Sequence, residues 1–134
     1  FTANQLFLTL GAQVSGYPAT TEAARVALQQ QLAELYGDSF GRDPQSLLML
    51  EGSGLSRAQR SSAAGMMHIL EVFKPYADLL PEVDGVLRKS GTLTGVYNFA
   101  GYIRGGDGLY AFVILTNQAV NNRAEILWLL RGQL

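Results

Sequence analysis

Leu87-Arg88-Lys89-Ser90-Gly91-Thr92-Leu93-Thr94-Gly95-Val96-Tyr97-Asn98-Phe99-Ala100-Gly101-Tyr102-Ile103 is the stretch whose reading decides the fold. A plain strand would keep alternating apolar and polar residues, whereas here a lysine, hydroxyls and glycines interrupt two apolar runs. Lysine is rare in this chain, occurring only at Lys74 and Lys89. Along a strand, side chains alternate across the sheet, so Lys89 and Gly91 face one way while Ser90 and Thr92 place two hydroxyls on the other. Gly91 permits close approach of another backbone, and neighbouring N–H groups can donate to a carbonyl lying alongside. The pattern predicts a strand edge that receives a peptide.

Working outward, residues 86–93, 96–104 and 109–116 read as three strands of an antiparallel meander, with Gly105-Gly106-Asp107-Gly108 as the second hairpin turn. Asn121-Asn122 then caps a helix over 123–131, whose Ile126, Leu127, Trp128, Leu129 and Leu130 predict packing across one face of the sheet. On the N-terminal side, residues 2–14 read as a helix begun by Phe1 or Thr2, with Leu6, Phe7 and Leu10 on its apolar face. A second helix opens at Thr20-Thr21-Glu22, repeats Ala24, Leu28, Leu32 and Leu35 at helical spacing, and closes at Gly37. Residues 38–44 read as loop, 47–50 as a short extended run, and Gly52-Ser53-Gly54 as a turn. Ser56 or Ser61 is expected to cap a helix over 62–73 carrying Met66, Ile69, Leu70 and Phe73; Pro75 ends it, and one further turn is expected over 76–80. The expected class is α+β, a three-stranded antiparallel meander with packed helices, in one domain over 1–134.

Composition narrows function. A formal net charge of -1 with no polybasic run offers no field for nucleic acid. No apolar run reaches the about 18 residues that span a bilayer. Cysteine is absent and histidine occurs once, which removes disulfides, thiolate zinc sites and a His-based triad within the chain. No metal or cofactor is expected. Gly52-Ser53-Gly54 is not followed by the Lys-Ser/Thr of a phosphate loop. His68 reads as a surface helix residue, and Ser53, Ser56 and Arg57 as loop-forming rather than catalytic.

Lys-Ser-Gly-Thr followed by Leu93-Thr94-Gly95-Val96-Tyr97-Asn98-Phe99-Ala100-Gly101-Tyr102 resembles the third signature of the penicillin-recognising serine DD-peptidases, in particular the class C low-molecular-mass penicillin-binding proteins. Glu51-Gly52-Ser53-Gly54-Leu55-Ser56-Arg57 is similar to a second segment of that family, there begun by Asp or Asn. Thr2-Ala3-Asn4 stands where the family has Ser-x-Asn, with Thr keeping the hydroxyl. The resemblance implies the C-terminal part of a serine β-lactamase/DD-peptidase-like fold and a parent that is a periplasmic or otherwise extracytoplasmic D-Ala-D-Ala carboxypeptidase/endopeptidase. Its partners would be the peptidoglycan stem peptide and β-lactams.

On the residues alone, Lys89 is either a solvated strand lysine or a cation that holds a catalytic network and attracts a carboxylate. The resemblance implies the second. It further implies that Thr2 relays a proton, that Asn4 binds a substrate carbonyl, and that Ser90 and Thr92 offer hydroxyls to the peptide's terminal carboxylate across Gly91. The Thr92 N–H would supply half of an oxyanion hole. Without the resemblance, Thr2 and Asn4 read as a helix cap followed by an ordinary polar residue. The family's nucleophile lies in Ser-x-x-Lys, but Glu71 and Val86 stand three residues before the two lysines. The chain is therefore expected to be an excised fragment, inactive alone; a non-catalytic cell-wall-peptide-binding or structural domain is the alternative. Strand 109–116 contains no charge or proline, which predicts a homodimer through that edge or aggregation.

Overall fold

Thr20 and Gly37 mark the ends of a helix in the sequence, and the chain obeys both. The Thr20 side chain accepts from the Ala23 N–H at 3.1 Å, and Gly37 follows the last turn at φ 79°. This computed structural model describes residues 1–37 and 46–133, so the loop expected over 38–44 lies outside the described residues. The chain divides into two compact units, Phe1–Ser62 and Ala63–Leu134.

In the first unit, α1 (Thr2–Ser15) packs on α2 (Thr21–Tyr36), and β1 (Leu47–Leu48) pairs antiparallel with β2 (Arg60–Ser61). The two helices meet through small residues. A Cβ on Gly11 would lie 2.5 Å from the Ala24 nitrogen, and both Ala24 and Ala27 are fully buried. This close approach turns the Phe7, Gly11 and Ala12 face inward, which corrects the apolar stripe expected from the sequence: Leu6 and Leu35 are exposed at 67% and 58%. Thr2 is not the cap of α1. Phe1 holds that position and offers no side-chain hydrogen bond.

In the second unit, α3 (Ala63–Phe73) runs into a 3-10 turn (Lys74–Leu79) at Pro75. Neither Ser56 nor Ser61 supplies the expected cap of α3, because the Ser56 hydroxyl accepts from the Ala58 N–H and the Ser61 hydroxyl donates to the Ser62 carbonyl. The sheet that follows has the order β3-β4-β5-β6, from β3 (Glu82–Val83), β4 (Val86–Leu93), β5 (Val96–Gly105) and β6 (Gly108–Asn117). The expected meander is β4, β5 and β6, and β3 adds a short fourth strand through the Asp84-Gly85 turn, where φ is positive at both residues. Register runs from Val86 opposite Ile103 to Leu93 opposite Val96, and from Val96 opposite Asn117 to Gly105 opposite Gly108.

Alternation along these strands gives the sheet two apolar faces. Val86, Phe99, Ile103, Phe112 and Ile114 bury one face against Leu127 of the last helix, α4 (Arg123–Arg131), which lies across the sheet as expected. Of its five apolar residues only Leu127 is buried, with Ile126 packed beside it, while Trp128, Leu129 and Leu130 are exposed, because five consecutive residues point all around a helix. Leu87 and Tyr102 bury the other against Leu70 of α3 and Ala77 of the 3-10 turn. The Tyr102 hydroxyl, fully buried, donates to the Leu70 carbonyl. Asn122 precedes α4 but makes no side-chain cap; its Oδ1 accepts from Gln118 instead.

Candidate active-site strand and its supports

β4 carries the motif lysine, and its alternation fixes what each residue presents. Val86 belongs to the apolar cluster under α4 and Leu87 to the opposite one, so Arg88, Ser90 and Thr92 share the α4 face while Lys89 and Gly91 share the other. Lys89, Ser90, Gly91 and Thr92 are all exposed. The Lys89 ammonium reaches the Ser90 carbonyl at 3.4 Å. The Arg88 N–H donates to the Pro81 carbonyl at 2.9 Å, which places the peptide groups of Arg88, Ser90 and Thr92 on the strand edge away from β5. Among the described residues, β3 covers that edge only opposite Val86 and Leu87, leaving the Ser90 and Thr92 edge groups without a strand partner.

Two arginines brace this strand. Their guanidinium carbons, of Arg88 and Arg123, each stand 4.4 Å from the Phe99 ring centroid. Arg123, the first residue of α4, donates to Thr92 Oγ1 at 2.8 Å, to the Gly91 carbonyl at 3.0 Å and to the Asn98 carbonyl at 3.3 Å. Local sequence spacing carries no signal for a contact that joins residues 31 apart.

Thr2 and Asn4 belong to the first unit, on the first turn of α1. Asn4 Oδ1 accepts from the Gly52 N–H at 2.7 Å and the Ser53 N–H at 2.9 Å. The amide orientation follows from these two donors, so its Nδ2 is left to donate elsewhere. A Cβ on Gly52 would lie 2.3 Å from the Ala3 carbonyl oxygen, so the loop sits directly against α1.

Glu51, which stands where the resembling segment begins with Asp or Asn, is the hub of that loop. Its carboxylate accepts from the Ser53 N–H at 2.6 Å, the Ser56 N–H at 3.1 Å, the Gln59 amide at 2.6 Å and the Ser53 hydroxyl. The Ser53 hydroxyl first, then the backbone N–H groups of Ser56 and Ser53, outweigh desolvation and lower the Glu51 pKa to about 2. Ser53 and Ser56 thus serve loop geometry, as expected. His68 lies on the exposed side of α3, 3.4 Å from Glu71. Among the described residues, no group of acidic or histidine side chains could hold a metal, and no helix is long and apolar enough to cross a membrane.

Residues 1–81 match the D-Ala-D-Ala carboxypeptidase 3 (S13) family. The chain belongs to this family. The matched residues include α1 with Thr2 and Asn4 and the Glu51 loop, whereas β4 lies beyond them. No curated protein shows significant sequence similarity to the chain. Among solved structures, the chain is similar to penicillin binding protein 4 (dacB) from Haemophilus influenzae complexed with a novel β-lactam, with a TM-score of 0.72 at 23% identity over 94% of this chain and 36% of that one. A second structure of penicillin binding protein 4 from Haemophilus influenzae matches with a TM-score of 0.71 at 25% identity, over 89% of this chain and 31% of that one. The chain thus spans about a third of the length of these relatives, and its α+β fold is that of the C-terminal part of a DD-peptidase.

Proposed function

We propose that the full-length protein is a peptidoglycan D-alanyl-D-alanine carboxypeptidase/endopeptidase, extracytoplasmic, acting through a serine acyl-enzyme and acylated by β-lactams. Its nucleophilic serine lies outside these 134 residues, and the chain alone is inactive. The observation that supports this reading most is the free β4 edge beside exposed Lys89, in a chain of the S13 family. A substrate peptide lies along Ser90 and Thr92 as an added strand. The Thr92 N–H donates to the developing oxyanion, and the Ser90 and Thr92 hydroxyls hold the terminal carboxylate. Lys89 supplies positive charge at the site, Thr2 relays a proton, and the Nδ2 of Asn4, fixed by the loop, donates to a substrate carbonyl.

Lys89→Ala in the full-length protein should slow acylation by a fluorescent penicillin by about 3 kcal/mol of barrier, the usual cost of one removed electrostatic donor. An unchanged rate constant sinks the assignment of Lys89. A cell-wall-peptide-binding domain without chemistry is the second reading, supported if the full-length sequence replaces the Ser or the Lys of Ser-x-x-Lys; it predicts peptide binding with no covalent adduct in intact-mass spectra of the full-length protein. The edge of β6, last in the sheet among the described residues, further suggests a homodimer through residues 109–116. Light scattering that gives a monomer at high concentration refutes it.

A further inference from the structure

Arg123 does more than pack α4 on the sheet. A guanidinium has donors and no acceptor, so in its 2.8 Å contact with Thr92 the hydroxyl oxygen accepts. That leaves the single Thr92 hydroxyl proton to donate away from Arg123. A hydroxyl held in this way beside a cation suits an anionic acceptor; a terminal amide would turn an NH2 donor toward another donor, or lose the charge that draws the ligand in. The further bonds to the Gly91 and Asn98 carbonyls and the stacking on Phe99 hold the guanidinium in place, so the direction of the hydroxyl is set before a ligand arrives. Arg123 has no carboxylate partner among the described residues, whereas Arg88 lies 3.8 Å from Asp84. Its charge is therefore not cancelled locally.

We infer that Arg123 is a positioning residue that, through Thr92, makes the β4 edge selective for peptides ending in a free carboxylate over the same peptides ending in an amide. This rests on the reading of β4 as the peptide-binding strand. It is tested by titrating the full-length protein, with its nucleophilic serine replaced by alanine so that the peptide is not hydrolysed, calorimetrically with an acetylated peptide ending in D-Ala-D-Ala and with its C-terminal amide. Arg123→Gln should weaken the carboxylate peptide about tenfold, the loss of one charge-assisted contact, and leave the amide peptide within about twofold. Arg123→Lys, which keeps the charge without the planar fork, should recover part of the discrimination and serves as the variant if the glutamine form does not fold. In a Thr92→Val background, Arg123→Gln should change carboxylate binding by less than about twofold, because the two residues act as one unit.

Equal weakening of both peptides, or an unchanged preference, overturns the role of Arg123 and leaves the proposed function standing. The same loss in the Thr92→Val background shows that Arg123 does not act through Thr92. Failure of the protein with Arg123 and Thr92 intact to bind either peptide overturns the peptide-binding reading of β4 and this inference with it.

Discussion

Among the described residues, the buried apolar ones in the first unit are Phe7, Ala12, Ala24 and Ala27; in the second they include Leu70, Val86, Leu87, Phe99, Tyr102, Ile103, Phe112, Ile114 and Leu127. Burying a large aliphatic or aromatic side chain contributes about 1.5–3 kcal/mol, and an alanine far less, so the sheet unit rests on apolar area. The helical unit rests on fit. Its backbones touch at Gly11 and Gly52, and its loop is tied by donors converging on Glu51 and Asn4. Removing volume should therefore damage the second unit most, while adding one methyl group or one proton should damage the first.

The largest effect is expected from Phe112→Ala. Phe112 is 6% exposed within the cluster that joins β4, β5, β6 and α4, and its loss leaves a cavity costing about 3–5 kcal/mol. Urea denaturation measures it. A loss below about 1 kcal/mol would mean that the sheet face collapses around the gap and that apolar area is not what secures it.

Gly11→Ala comes next and tests the helical unit by addition. On an open helix face the change would gain about 1 kcal/mol of helix propensity. Here the new methyl meets the Ala24 nitrogen at 2.5 Å and the Ala24 Cα at 2.8 Å, backbone atoms that cannot swing aside. Overpacking costs about 1–3 kcal/mol or more, so the net should be a destabilisation of about 1–2 kcal/mol. A variant with a higher melting temperature would show that the helices separate easily and that their fit is not tight.

The same contrast explains what the sequence revealed. The three long strands and α4 were legible almost to the residue because a period of two between glycine turns, and an apolar stripe after Asn122, are local signals. The helix pair is legible as helices but not as a packing: alanines and a glycine form no stripe, so the leucine spacing points to Leu6 and Leu35 as core, and both are exposed. At the site, Lys89, Ser90, Gly91 and Thr92 stood out through their placement on one strand, and their alternation holds. Of the two starts the sequence offers for α1, Phe1 is the cap and Thr2 the first helical residue, a choice fixed by backbone geometry that one hydroxyl does not determine. β3 depended on positive φ at Asp84 and Gly85, a short turn within a polar stretch. Arg123 and Glu51 were missed because their roles depend on partners brought near by folding: Arg123 reaches across from α4, and Glu51 gathers donors from Ser53 to Gln59 around one carboxylate.

The smallest expected effect is the dependence of the helical unit on the ionisation of Glu51. In the folded chain this carboxyl titrates near 2 instead of its ordinary 4.5, because the Ser53 hydroxyl and backbone N–H groups bond the charged form. Between those values the unfolded chain takes up a proton that the folded chain refuses. The stabilisation is therefore complete above about pH 4.5 and is lost as pH falls toward 2. Glu51 lies near solvent, which screens the gain, so the slope should be shallow. A carboxyl carbon NMR titration should show Glu51 with a midpoint well below that of an ordinary glutamate, accompanied by shifts of the Ser53 and Ser56 amides but not of β5. Glu51→Gln should cost about 1 kcal/mol at neutral pH, since the new NH2 faces donors where an acceptor is needed, and should flatten the fall in melting temperature below pH 4.5. If Glu51 titrates in the ordinary range, its carboxylate does not hold the loop, and the first unit's fit rests on Gly11, Gly52 and Asn4 alone.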